Sequence, residues 1–159
     1  HLDAALKAVD EAIPKAVDVR SHADELQARL LKVRILAAMK REREARAELA
    51  VVKQGLVRYA SVPLRLRLAE TSLLLGGAQA TADYREARIL LARLPAYGHA
   101  FMIHQLGARA AQASSDSGRE AQSLAREALE ALLKQTPEAR YTTWRSWAKS
   151  MGDVEAPTP

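Results

Sequence analysis

Four histidines, His1, His22, His99 and His104, are the first side chains to weigh for chemistry. The only close pair, His99 and His104, is five residues apart, whereas two metal ligands share a helix face at a spacing of three or four. A metal site is not expected. The chain has no cysteine, which removes thiolate nucleophiles, Cys-liganded zinc and disulfides together and leaves the redox compartment unread. Gly76-Gly77 is followed by no Lys-Ser or Lys-Thr and preceded by no strand pattern, so it reads as the end of a helix and not as a phosphate-binding loop. No G-x-S-x-G elbow occurs, and no isolated pair of carboxylates stands in an apolar stretch where acid-base work would be tuned. The expectation is a protein without catalytic, cofactor or metal residues.

The elements around these residues are legible from composition. The chain has 159 residues, 48% of them hydrophobic, 27% charged and only 4% aromatic. That is enough to bury a core of one domain's size. Ala, Leu, Arg, Glu and Gln dominate while β-branched and aromatic residues are sparse, so strands have little to be built from and the fold class is all-α. No apolar run approaches the ~20 residues of a membrane-spanning helix. Twenty-four Lys plus Arg stand against 19 Asp plus Glu, a net charge of +5. In Lys40-Arg41-Glu42-Arg43-Glu44-Ala45-Arg46 the signs alternate, the pattern of a solvated helix laced with i,i+3 and i,i+4 pairs and not of a basic nucleic-acid face. Nucleic acid is therefore disfavoured as a partner. Arg outnumbers Lys, a bias associated with GC-rich bacterial genes. The chain opens on His1 and carries no signal-peptide pattern near it. A fragment or processed product is expected, with a cytoplasmic location favoured and a periplasmic one left open.

Breakers at Pro14, Pro63, Gly76-Gly77, Pro95, Gly98, the 114–118 cluster, Pro137 and Gly152 divide the chain into ordinary helix lengths. Helices are expected over residues 2–19 (interrupted or kinked at Pro14), 22–39, 41–59, 62–76, 83–94, 97–113, 118–135 and 138–151. Ser21, Asp83 and Ser117 each stand three residues before an acid, the capping-box spacing. Thr136 before Pro137, and more weakly Ser61 before Pro63, read as further N-caps. In the second helix Ala23, Leu26, Leu30, Val33 and Ala37 form one apolar stripe that must face a neighbour. Residues 1–152 read as one helical repeat domain and 153–159 as a flexible tail.

A tetrapeptide recurs as Arg43-Glu44-Ala45-Arg46, Arg85-Glu86-Ala87-Arg88 and Arg119-Glu120-Ala121-Gln122, each near the start of the second helix of a candidate pair. Such self-similarity suggests stacked helical hairpins. Asp83-Tyr84-Arg85-Glu86-Ala87, ending in Leu94-Pro95, carries it best, and residues 22–135 resemble a degenerate tetratricopeptide-repeat array. The Trp, Leu-Gly and Tyr positions of that family's first helix are missing as a set, and the period is uneven. The resemblance implies a short solenoid of antiparallel hairpins, with Ala45, Ala87 and Ala121 buried where paired helices cross. It also implies a role as a non-catalytic protein-interaction or sensory scaffold of a larger bacterial signalling or regulatory protein. A regulatory domain binding a small molecule in the helical groove is the alternative.

In such an array the first helix of each pair lines the groove. Arg65 and Arg67, from Leu64-Arg65-Leu66-Arg67-Leu68, join Lys32, Arg34 and His104 as candidates for gripping an acidic protein or peptide partner. Tyr141, Trp144, Trp147 and Met151 form the remaining stripe, expected as a C-terminal helix capping the solenoid, with a partner or homodimer contact as the other use.

Overall fold

A computed structural model describes residues 1–59, 61–112 and 115–135. Among these residues the chain forms seven helices and no strands: α1 (Leu2–Asp18), α2 (His22–Ala38), α3 (Glu42–Leu56), α4 (Val62–Leu75), α5 (Ala80–Arg93), α6 (Ala100–Ala110) and α7 (Asp116–Gln135). The all-α expectation holds, and no helix of the described residues is long and apolar enough to cross a membrane. Contacts group the chain into two compact units, unit 1 (His1–Gly77) and unit 2 (Ala78–Pro159). The expected helix over 138–151, with Tyr141, Trp144, Trp147 and Met151, the Thr136 cap and the 153–159 tail lie outside the described residues.

Unit 1 begins with two connections of the same design. After α1 the backbone enters the left-handed region at Arg20, φ 54°, and after α2 it does so at Lys40, φ 60°. Arg20 N donates to Val17 O and Ser21 N to Ala16 O, both at 2.9 Å, while Lys40 N donates to Ala37 O and Arg41 N to Leu36 O. These are paired 5→2 and 6→1 bonds that satisfy the last orphan carbonyls of each helix. The same turn thus recurs twenty positions on, and the short links make α1, α2 and α3 antiparallel neighbours. A Cβ in the left-handed region is strained. Replacing Lys40 with glycine is therefore expected to stabilise the chain by about 0.5–1 kcal/mol, less the entropy glycine loses on folding. A raised urea midpoint at unchanged slope is the readout; a lowered one would contradict the cap.

The N-termini follow the capping logic with displacements. Ser61 Oγ accepts from Leu64 N at 3.4 Å, with Pro63 in the first turn, so this weaker signal caps α4 as expected. Ser21 Oγ instead donates to Asp24 Oδ2 at 2.5 Å. α5 starts at Ala80 with Gln79 as its N-cap, which leaves Asp83 inside the first turn, where its charge faces the positive end of the helix. α7 starts at Asp116, and Ser115 Oγ, not Ser117, accepts from Gly118 N at 3.0 Å. Pro14 does not interrupt α1, which runs through it. Gly76 ends α4 at φ 63°, and Arg46 of α3 donates to Leu75 O and Gly76 O at 3.1 and 3.2 Å, placing a cation on a helix C-terminus.

Packing explains why α2 carries more than one apolar face. Leu26, Leu30, Val33 and Leu36 join Ala45, Leu49, Val52 and Leu56 of α3 and Leu64 of α4 in the main core of unit 1. Ile35 turns the other way, onto Val9 and Ile13 of α1. In unit 2, α6 packs against α5 and α7. Residues 101–108 of α6 are all buried, the mark of an interior helix. Phe101 and Met102 meet Leu129 and Leu133 of α7, while the Tyr84 ring of α5 lies over Gly107. Ala45, Ala87 and Ala121 are each fully buried.

Candidate functional site

The five groove candidates fall into four different settings. Arg34 and Arg67 lie on a shared edge of α2 and α4. Arg34 Nη1 reaches Glu70 Oε1 at 3.5 Å, and Arg67 Nη1 donates to Gln27 Oε1 at 3.4 Å. Each cross-link joins an earlier residue of α2 to an earlier one of α4, and a later residue to a later one, so the two helices run in the same direction. On α2, Gln27, Leu31 and Arg34 follow the i, i+4, i+7 rule of one face; on α4, Arg67 and Leu74 do the same. Leu31 is 50% exposed and Leu74 45%, so this edge offers apolar contact beside its two guanidiniums.

Glu70 is 3% exposed, a carboxylate that α4 holds among Ala69, Thr71, Ser72 and Leu73, all buried. A charge in such surroundings needs a partner, because desolvation otherwise costs several kcal/mol. Arg34, with a 39% exposed side chain, supplies that charge while leaving part of its fork to solvent. Arg65 is half-buried and, two residues from Arg67, sits about 200° away round the helix. It does not share the edge.

Lys32 is not on this edge either. Its Nζ lies 2.8 Å from Asp10 Oδ1 of α1 and 3.7 Å from Glu48 Oε2 of α3. Arg29 extends the same network, to Glu48 at 2.6 Å and Glu25 at 2.8 Å. The Asp10 hydrogen bond raises the Lys32 ammonium above its usual range, against the opposing effect of burial. The Arg29 hydrogen bond holds the Glu25 carboxyl below its own. Lys32 is thus a strut among three helices, which corrects its expected place in a groove.

His104 also departs from expectation. It is 9% exposed on α6, and its Nδ1 lies 2.9 Å from the Tyr84 hydroxyl, with the two rings edge to face. Burial pulls its pKa down to about 4, so at neutral pH the ring is uncharged. It cannot grip an anion from solvent. Burial likewise pushes the Tyr84 hydroxyl up to about 12.

Gln27, Leu31, Glu70 and Leu74 were not singled out by sequence reasoning. The signal for one of them was present: Glu70 is a lone acid within Leu68-Ala69-Glu70-Thr71-Ser72-Leu73, which calls for a cation on a neighbouring helix. Among the described residues no group of three His, Asp or Glu side chains is placed to hold a metal ion. A shallow cleft of about 230 Å³ lined by Ala16, Val17, Arg20, His22 and Glu25 lies at the α1–α2 turn. That is below the usual 300–1,000 Å³ of a small-molecule site. Comparison of the chain with protein-family models, with curated proteins and with solved structures yields no match.

Proposed function

We propose that the chain is a non-catalytic protein-interaction module, a degenerate tetratricopeptide-like set of helical hairpins within a larger bacterial signalling or regulatory protein. It takes an acidic peptide segment along the α2–α4 edge. The observation that carries this reading is the arrangement of α2, α3 and α4. A hairpin, α2–α3, is followed by a helix that packs on both its members and runs parallel to the first. Side-by-side first helices are what a hairpin array presents to a partner, and here they present Arg34, Arg67, Leu31 and Leu74 together. Arginine forks match carboxylates in two-point geometry, and half-exposed leucines supply the apolar anchors that charge alone lacks.

The expected partner is therefore an acidic segment with leucine-like side chains. Selection from a peptide library of mixed charge is expected to enrich such sequences. Arg67→Glu should then weaken binding of a selected peptide at least tenfold, while Arg43→Glu, the same charge change at an exposed site on α3, should leave it unaltered. Both variants should keep wild-type helicity and melting temperature. Equal losses from the two substitutions would reduce the interaction to net charge and overturn the assignment.

A further inference from the structure

We propose that unit 2 is an acid-sensitive element: His104 can occupy its place between α5 and α6 only as a neutral ring, so mild acidification opens the α5–α6 pair while unit 1 stays folded. The geometry leaves little room for another outcome. His104 belongs to the buried run of α6, and Tyr84, also buried, both hydrogen-bonds its Nδ1 and lies over Gly107 one turn further on. A Cβ built on Gly107 would fall 2.4 Å from two atoms of the Tyr84 ring, so the phenol is held against α6 on one side while its hydroxyl is committed to His104. An imidazolium carries N–H groups on both nitrogens and a full charge, and among the described residues the ring has the Tyr84 hydroxyl, not a carboxylate, as its hydrogen-bond partner.

The charged groups of the described residues that act on the ring do not reverse that cost. Arg88 of α5 disfavours a second positive charge. Glu127 and Glu120 of α7 favour it, but both effects are smaller than that of burial, and Arg88 and Glu120 are themselves paired at 2.8 Å. With the folded-state pKa near 4 and the ordinary value 6.5, the unfolded or opened form binds the extra proton throughout the interval between them. Stability of the closed pair is therefore full above pH 6.5 and falls as pH drops toward 4. The opening equilibrium shifts by up to about 300-fold across that window. In unit 1, Glu25 has its carboxyl held low by Arg29 and loses that stabilisation only below the ordinary carboxylate range.

Hydrogen exchange on the intact chain between pH 7 and 4.5, corrected for intrinsic rates, tests this. Amides of α5 and α6 are expected to lose protection progressively while those of α2 and α3 keep theirs. His104→Gln, which cannot acquire the proton, is expected to flatten that dependence where it folds. The wild-type imidazole resonances decide independently of the variant: the His104 ring should stay neutral for as long as α5 and α6 remain protected. Titration of His104 near 6.5 with α5–α6 protection intact, parallel loss in both units, or an unchanged acid response in His104→Gln would each overturn the proposal.

Discussion

Gly107→Ala is expected to destabilise unit 2 by about 3 kcal/mol, the upper end of what one added methyl costs in a packed interior. The new Cβ would meet Cδ2 and Cε2 of Tyr84 at 2.4 Å and Cγ at 2.6 Å, where ordinary carbon contacts lie beyond 3.4 Å. Rings are stiff, and this one also holds a hydrogen bond to His104, so relief requires either α5 or α6 to move. With total stabilities of roughly 5–15 kcal/mol, such a loss lowers the melting temperature by many degrees. Gly98→Ala is the control, since a Cβ there meets nothing within 4 Å. The diagnostic measurement is the double variant: Tyr84→Leu should recover part of what Gly107→Ala loses, because it empties the space the methyl invades. A Gly107→Ala protein as stable as wild type would mean that α5 and α6 do not approach this closely.

Phe101→Ala is expected to cost about 3–5 kcal/mol, as truncation of a buried aromatic typically does. Phe101 is 2% exposed and packs with Met102, Leu129 and Leu133, so its removal opens a cavity at the contact of α6 with α7. Ile89, on α5 of the same unit, is 67% exposed, and Ile89→Ala should shift stability by no more than about 0.5 kcal/mol. Urea unfolding of the two variants side by side separates burial from hydrophobicity as such. A loss below about 1 kcal/mol for Phe101→Ala would place the core of unit 2 elsewhere.

Much of the helical layout is local chemistry and could be read without the fold. Breakers and helix formers place α2 and α4 within a residue of their expected ends. Capping is less legible where several polar side chains compete: Ser115 and Ser117 flank the start of α7, and it is Ser115 Oγ that accepts from Gly118 N. The burial of Ala45, Ala87 and Ala121 follows the recurring tetrapeptide, because a small side chain between larger ones marks a close approach on any helix. Site residues were less legible. A Lys or Arg on α2 looks alike in sequence whether it faces α1, as Lys32 does, or α4, as Arg34 does. That difference depends on which neighbour packs on which side. The same applies to His104, whose setting is decided by Tyr84 twenty residues away.

The α2–α4 edge is the centre of this account, and its most direct test is a titration of the isotope-labelled chain with an acidic, leucine-bearing peptide, followed amide by amide and at the arginine side chains. The predicted result is saturable perturbation along Gln27, Leu31 and Arg34 of α2 and Arg67 and Leu74 of α4, with the Arg34 and Arg67 Nε–H signals moving most and α1 unaffected. Perturbations scattered over exposed cations on every helix, or centred on α1 and the 19–21 turn, would contradict it.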